Sequence, residues 1–229
     1  MLDRVARRDS DVEILVWTTT SSCLVAPRAW AQRPEFDTGR VRVEALGMPL
    51  LLRQTGGDLA PQGPSVLNVT VAFAASSPFG VKDAYRRICS PLLALLRARG
   101  VAAYCASVPE SFCDGRFNIA VGGRKLAGTA QRWRPRTRRA GTVEAGLAVL
   151  AHAALFVEPD FDRYADAANA FYEGCRLDRR VRAEANVALA DFPSFSDELA
   201  GHDRLHSLAA TVFSCYEQRF NDDHNDSRA

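Results

Sequence analysis

Short apolar runs separated by turn residues occupy the first two thirds of the chain, and this pattern predicts β-strands. Val12–Trp17 and Leu50–Arg53 are short apolar runs of strand type, and Val66–Phe73 partly alternates between apolar and polar residues. Gln54–Gly57 follows the second run and is predicted to be a tight turn, because glycine reaches the required backbone angles at low cost. Residues 18–40 contain several serine, proline and glycine residues and are predicted to be mostly loop.

One segment of this region changes to helical spacing. Apolar side chains recur every three or four residues across Val81–Arg99, and Gly100 follows as a C-cap. Pro91 falls inside the segment, so we expect a kink or a break there, because proline lacks the N–H and crowds the preceding turn. Val101–Tyr104 is then predicted to be a strand, and residues 113–133 a hairpin.

The last third of the chain changes from strand to helix. Residues 141–158 are apolar and alanine-rich, and their valines favour a pair of strands, with a helix as the rival interpretation. Helical periodicity then predicts three helices, over 161–174, 178–190 and 197–219. Residues 221–229 are polar and are predicted to fray.

Strands that come first and helices that come last indicate an α+β protein rather than a doubly wound one. We predict a single domain over residues 1–229, because a chain of this length builds one full-sized core. Residues 10–158 would form a mixed β-sheet core with flanking helices, mostly sheet with one helix at 81–99. Residues 160–219 would form a helical C-terminal tail.

Composition and charge narrow the classes of partner. The 29 Lys and Arg residues stand against 27 Asp and Glu residues, and the net charge of +2 is too small to indicate nucleic acid. No apolar run reaches the roughly 18 residues of a membrane helix, and the first residues have no apolar segment of signal-peptide type. We therefore expect a cytoplasmic protein with no nucleic-acid partner and no membrane partner.

The cysteines and histidines do not predict a metal site. The cysteines are scattered and lack a C-x-x-C pair, at positions 23, 89, 105, 113, 175 and 215. His202 and His206 have ligand-like spacing, but no third ligand accompanies them. We predict that no metal binds and that cysteines other than Cys113 are small buried residues.

Cys113 and Lys125 form a candidate catalytic pair at the predicted hairpin. Cys113 stands where the first strand is predicted to begin, and Lys125 follows twelve positions later on the second strand. A nearby ammonium favours the reactive thiolate over the thiol, and a lysine can return a proton to a leaving group. The small residues 128–130 let a ligand approach the backbone closely. The alternative is that Cys113 is a buried structural thiol.

Two motifs in these segments resemble the lipoate–protein ligase and octanoyltransferase family, which shares a fold with the biotin protein ligases. Leu52–Asp58 resembles the family's R-R-x-[ST]-G-G-x motif, and Gly123–Gln131 matches G-R-K-[IVL]-A-G-[ST]-A-Q without a break. His152–Val157 is less similar to the family's apolar H-G-[ST]-[IL]-L-[LF] strand. The resemblance covers roughly residues 10–175 and implies a biotin/lipoate protein ligase-like fold.

The resemblance implies acyl transfer. In the cysteine-dependent octanoyltransferases, a cysteine about a dozen residues before the motif lysine carries the acyl group as a thioester. This assigns Cys113 as the nucleophile and Lys125 as the acid/base. The donor would be acyl carrier protein or a lipoyl-domain protein, the acceptor a lysine of a lipoyl-domain protein, and no cofactor would be needed. The substrate-binding residues would be Arg53, Thr55, Gly56, Gly57, Asn118, Gly128, Thr129 and Ala130.

Two alternatives to the transferase remain open. An ATP-dependent lipoate–protein ligase would use the same acyl pocket together with ATP and Mg. The ligases have glycine at the position of Asp58 and aspartate at that of Asn118, so we expect this chain to disfavour a nucleotide. The other alternative is a non-catalytic member that binds acyl groups or a partner. Only Leu2–Val5 corresponds to the family's opening helix, so either the start lies upstream or the pocket is open on that side.

Overall fold

The architecture is that of a computed structural model, which describes residues 1–76, 78–137, 146–195 and 203–226. The strands are β1 Val12–Trp17, β2 Cys23–Pro27, β3 Leu50–Arg53, β4 Ala60–Gln62, β5 Val66–Ala75, β6 Tyr104–Ala106, β7 Asn118–Val121, β8 Arg124–Pro135 and β9 Leu147–Phe156. The helices are α1 Leu2–Arg7, α2 Phe36–Ala45, α3 Val81–Ala98, α4 Phe161–Gly174 and α5 Arg204–Asp226.

The strands form two sheets. A six-stranded antiparallel sheet has the order β1-β5-β9-β8-β7-β6, and a three-stranded sheet has the order β3-β2-β4. In the small sheet, β2 runs parallel to β3 and antiparallel to β4. The α+β class with a mixed sheet core and flanking helices is therefore confirmed.

The central strand β5 explains how the sheets are layered. Leu67 and Val69 point into a core shared with α3 and α5. Val66, which has the opposite orientation, belongs to a second core built with the small sheet, α2 and α4. The strand β5 is buried on both faces, and its mostly apolar, partly alternating residues predicted it as a strand. Asn68 is a polar residue on the face toward the small sheet.

The segment 18–40 departs from the predicted loop. It contains β2, a 3₁₀ turn over Arg28–Gln32 and the start of α2. The helix α2 buries few residues, so its own pattern is weak, and its packing on α4 stabilises it instead. At that contact, a Cβ added to Gly174 would lie 2.6 Å from the Gly39 Cα atom. The prediction of a single helix within residues 10–158 is therefore wrong.

The helix α3 runs through Pro91 without a break, so a break at that position is excluded. Apolar side chains of α3, among them Ile88 and Leu92, pack in the core on both sides of the proline and hold the helix there. Gly100 follows the helix with φ +73°, as expected for a C-cap. The next strand begins at Tyr104, later than predicted.

The predicted tail is only partly helical. Residues 178–190 were predicted to be a helix, but they form an irregular connection with 3₁₀ turns at Ala183–Ala185 and Leu189–Asp191. The segment instead lies against β8, where the Val187 N–H donates to the Lys125 carbonyl at 2.8 Å. The helix α5 extends to Asp226, beyond the expected end and into the stretch predicted to fray.

Two further sequence predictions fall partly outside the described residues. Residues 197–202, where the last helix was predicted to begin, are outside them, as are residues 141–145 of the predicted strand pair. The remainder of that pair is the single strand β9, which lies between β5 and β8. Within the described ranges, no helix is both long enough and apolar enough to span a bilayer.

Candidate functional site

A cavity of about 160 Å³ lies between the two sheets. The main sheet contributes Gly128, Thr129 and Ala130 of β8 together with His152, Ala154 and Phe156 of β9. An apolar protein cavity of about 150 Å³ is enough to bind benzene, so this space suits an apolar chain. The remaining lining residues are Trp17, Val25, Arg53, Ala60, Pro61, Gln62, Asn68, Phe112, Cys113 and Lys125.

Cys113 lies in the loop before β7, not at the start of that strand as predicted, because β7 begins only at Asn118. Its φ of +50° is left-handed, an uncommon conformation for a residue other than glycine and one often found at functional sites. The sulfur accepts a hydrogen bond from the Asp58 main-chain N–H at 3.0 Å and lies 3.9 Å from Arg53 Nη2. A thiol that is partly exposed, lines a cavity and faces two donors is placed for chemistry.

Lys125 is buried beside the cysteine, with a side chain that is 1% exposed. Its Nζ donates to the main-chain carbonyls of Phe112 and Cys113, at 3.1 Å in the second case. Burial lowers the pKa of Lys125 from 10.5 to about 8, although its interaction with Cys113 opposes this change. An amine with a pKa near the working pH can both give and take a proton.

Gly128 leaves the space that the lysine side chain occupies. A Cβ at this position would lie 3.0 Å from Lys125 Nζ and 3.2 Å from its Cε. Next to it, Thr129 Oγ1 donates to the Phe117 carbonyl at 2.7 Å. The small residues predicted at 128–130 therefore line the cavity, and the first of them also makes room for the ammonium.

Arg53 holds together the loop between β3 and β4, residues 54–59, here called the glycine loop. Its guanidinium donates to the carbonyls of Val25 at 2.5 Å, Asp58 at 2.5 Å and Gly56 at 3.1 Å. Burial lowers the pKa of Arg53, and these carbonyls supply the hydrogen bonds that water would otherwise make. The loop after β3 is thereby folded so that the Asp58 N–H faces Cys113.

The Asp58 carboxylate is oriented differently from the sequence expectation. Predicted to repel a phosphate in the pocket, it instead forms an ion pair with Arg179 and accepts a hydrogen bond from the Tyr172 hydroxyl at 2.9 Å. The side chain is thus neutralised by residues outside the cavity lining. The charge of Asp58 is therefore a poor argument against a nucleotide.

Three other predicted residues take different positions. Thr55 lines a neighbouring cavity of about 370 Å³ that shares Arg53 and His152 with the first, and its buried hydroxyl has no hydrogen-bond partner among the described residues. The carbonyl of Gly56 binds Arg53. Asn118 is buried below the loop and donates weakly to Asp114 Oδ1 at 3.5 Å. The structure thus brings Arg53, Cys113, Lys125 and residues 128–130 together around one cavity, and Asn118 lies outside its lining.

Sequence reasoning missed several lining residues. Gln62 and Asn68 exchange amide hydrogen bonds of 2.9 and 2.7 Å, which satisfy two buried polar groups at the cavity wall. The polar Asn68 inside an apolar strand was the one available signal. Burial, and then Arg53, lower the pKa of His152 to about 4, so this histidine is neutral at physiological pH. Across the described residues, no group of three His, Cys, Asp or Glu side chains is arranged to hold a metal ion.

Gly57 is the glycine whose replacement should disturb the site most. Its φ is +104°, and an added Cβ would lie 2.6 Å from Cys113 Sγ. We expect Gly57→Ala to destabilise the fold by roughly 1–2 kcal/mol and to slow alkylation of Cys113 about tenfold, because the loop must move away from the sulfur. Thermal unfolding, and peptide mapping after iodoacetamide treatment in a background where the exposed Cys105 is replaced by alanine, measure the two effects.

Gly122→Ala is the matched control for this substitution. Gly122 has φ +56°, and a Cβ there would meet nothing within 4 Å. It should carry the backbone cost without the effect on Cys113. Equal alkylation rates in Gly57→Ala and Gly122→Ala would contradict the geometry of the loop.

Comparisons with known proteins identify the family. The family model described as the lipoyl protein ligase A/B catalytic domain matches residues 1–183. The chain is 38% identical over 171 residues to an octanoyl-[GcvH]:protein N-octanoyltransferase of Kyrpidia tusciae, covering 75% of this chain and 59% of that protein. It is also 38% identical over 156 residues to an uncharacterised protein of Cupriavidus necator, covering 65% of this chain and 61% of that one. The chain thus spans about three fifths of the length of these relatives.

A solved structure shows the fold. A crystal structure of lipoate-protein ligase A bound with ATP superposes with a TM-score of 0.63 at 18% identity. It covers 96% of this chain and 78% of that one, and at this identity it shows the fold alone. The biotin/lipoate ligase-like architecture is therefore confirmed, and the chain belongs to the lipoyl protein ligase A/B catalytic domain family.

Proposed function

We propose that this protein is an acyltransferase that moves octanoyl or lipoyl groups to a lysine of lipoyl-domain proteins through a thioester on Cys113. The observation that carries the proposal is the meeting of three groups at the apolar cavity: the Cys113 sulfur, the Lys125 ammonium and the Asp58 N–H. The first would attack, the second would transfer protons, and the third would hold negative charge on sulfur.

The name of the Kyrpidia relative supports an acylated lipoyl-domain protein as the donor, since that enzyme is described as acting on octanoyl-[GcvH]. Such a donor carries the acyl group as a lysine amide, so the first half-reaction breaks a C–N bond. The Cys113 thiolate adds to the amide carbonyl, and protonated Lys125 gives its proton to the departing lysine nitrogen. The products are a thioester on Cys113, a free donor lysine and neutral Lys125.

The second half-reaction reverses these roles. The acceptor lysine amine attacks the thioester carbonyl, neutral Lys125 takes a proton from that nitrogen, and the Cys113 thiolate leaves. The Asp58 N–H stabilises the thiolate as it leaves. The acyl group has then passed from one lysine to another with no net change in protonation. No ATP is consumed, because the energy of the amide bond is conserved.

A transfer assay tests the proposal. The chain is mixed with an octanoylated GcvH-type donor and an unmodified lipoyl domain without ATP, and intact mass follows the octanoyl group. Octanoyl should leave the donor and appear on the acceptor. An octanoylated acyl carrier protein serves as a second donor, and no transfer from either one would overturn the transferase proposal.

The ATP-dependent ligase is the second candidate, and the resemblance in fold to lipoate-protein ligase A keeps it in view. We expect no binding of ATP with Mg²⁺ in the micromolar range. The reason is that Asn118, which lies buried against Asp114, offers a neutral amide where the ligases have a carboxylate for the nucleotide site. Calorimetric titration of ATP in the presence of Mg²⁺ measures this, and micromolar affinity would promote the ligase.

A further inference from the structure

We propose that Asp58, Tyr172 and Arg179 form a positioning cluster, here called the Asp58 cluster, that holds the Asp58 main-chain N–H against the Cys113 sulfur and so supports the reactivity of that sulfur. The inference rests on the proposed function only in taking Cys113 as the nucleophile. Asp58 itself is a positioning residue, because its side chain acts on the sulfur only through its own backbone.

Both oxygens of the Asp58 carboxylate are engaged. Oδ1 accepts hydrogen bonds from the Tyr172 hydroxyl at 2.9 Å and from the Leu59 N–H at 2.7 Å. Oδ2 forms the ion pair with Arg179. The Asp58 side chain is only 16% exposed, so these contacts are screened by solvent much less than those of a surface pair.

The partners of the carboxylate are themselves fixed by packing. Tyr172 lies on α4 and is 2% exposed. Burial, and then the Asp58 carboxylate, raise the pKa of the Tyr172 phenol, so it stays protonated and donates. The Arg179 guanidinium lies 5.6 Å from the centre of the Trp30 ring, which also contacts Tyr172 at 6.5 Å. The cluster thus joins the glycine loop to α4, to the connection that follows α4, and to the 3₁₀ turn over Arg28–Gln32.

The main chain of Asp58 is held from the opposite side as well. Arg53 Nη2 donates to the Asp58 carbonyl at 2.5 Å, while the N–H of the same residue points at Cys113 Sγ at 3.0 Å. With carbonyl and carboxylate both anchored, the N–H has little freedom to swing away. A fixed N–H donor at this distance stabilises negative charge on the sulfur during reaction.

Alkylation of Cys113 by iodoacetamide at pH 7, followed by peptide mapping, tests the cluster without any acyl substrate. A Cys105→Ala background is needed, because Cys105 is exposed and its interaction with Cys89 lowers its pKa. The variants are Asp58→Ala, Tyr172→Phe and Arg179→Gln. Arg179→Lys, which keeps the charge, is the rescue, and Arg180→Gln is the control for loss of a neighbouring exposed charge.

We expect Asp58→Ala to slow Cys113 alkylation at pH 7 about tenfold, because the sulfur then loses a fixed donor that stabilises negative charge on it. Tyr172→Phe and Arg179→Gln should also slow alkylation, Arg179→Lys should recover part of the rate, and Arg180→Gln should match the parent. Variants that melt earlier but keep the parental alkylation rate would overturn the proposal, because the cluster would then be only structural. Arg179→Gln alters a half-exposed side chain, so it keeps the test decisive if Tyr172→Phe does not fold. Transfer activity plays no part in the readout, so a failed transferase proposal leaves this result interpretable.

Discussion

Replacing Cys113 with alanine is expected to reduce octanoyl transfer by roughly 10³-fold or more while leaving the protein folded. Without the sulfur no thioester forms, and nucleophile deletions in covalent enzymes cost at least this much. The thiol is partly exposed and its loop is held by other groups, so we expect a stability change under roughly 1 kcal/mol. Transfer followed by intact mass and thermal unfolding measure the two quantities.

Cys105→Ala is the matched control for Cys113→Ala. Cys105 is the more exposed thiol, so the prediction that every cysteine other than Cys113 is buried is wrong for it, and its interaction with Cys89 lowers its pKa. It should transfer octanoyl at the parental rate, because it does not line the cavity. Full transfer by Cys113→Ala, or loss of transfer in Cys105→Ala, would mean that the nucleophile has been assigned to the wrong cysteine.

Lys125→Met is expected to cut turnover by roughly 10³-fold, because general acid–base catalysis contributes about 10²–10⁴. The acylation half-reaction of the parent needs the ammonium, so its rate should fall as the pH rises through about 8, the pKa of Lys125. In the variant this alkaline fall should vanish together with most of the rate. Single-turnover acylation across pH 6–10 (about two units either side of that pKa) measures it.

The same substitution is expected to stabilise the fold. The pKa of Lys125 is about 8 in the folded protein against 10.5 ordinarily, so the unfolded chain holds the extra proton between these values, and parental stability rises with pH there. Removing the amine relieves roughly 3 kcal/mol below pH 8, less roughly 1 kcal/mol for each of two lost hydrogen bonds. Denaturation of both proteins should show a net gain of roughly 1 kcal/mol at pH 7, which disappears as the pH rises from 8 toward 10.5 and becomes a net loss of roughly 2 kcal/mol above that range, where only the missing hydrogen bonds count. A variant that is less stable than the parent at pH 7 would mean that burial of the Lys125 ammonium does not destabilise the fold.

The strands around the site could be predicted from the sequence, because a buried strand has a recognisable pattern of apolar residues. The strand β5 is buried on both faces and mostly apolar, and the motif over residues 123–131 combines a turn with small residues on a strand. The sequence did not predict the helix α2, because this helix is held by close contact between Gly39 and Gly174, which are far apart along the chain. Pair contacts of this kind do not appear in any local window of sequence.

The candidate site likewise contains residues that the sequence predicted and a side chain whose direction it did not predict. Cys113, Lys125 and Arg53 were predicted, and they meet at one cavity. The role of Asp58 was misjudged, since its residue type indicates a charge in the pocket whereas its contacts with Tyr172 and Arg179 turn the carboxylate elsewhere. Side-chain direction depends on partners that lie more than a hundred positions away, so residue type alone could not give it.

The covalent intermediate provides the most direct test of the account. The chain is mixed with octanoylated GcvH-type donor in the absence of acceptor and ATP, quenched in acid, and examined by intact mass and peptide mapping. The chain should gain one octanoyl group, the peptide containing Cys113 should carry this group, and added lipoyl domain should remove it. Transfer to the acceptor without any acyl group on Cys113, or acylation only when ATP is present, would contradict it.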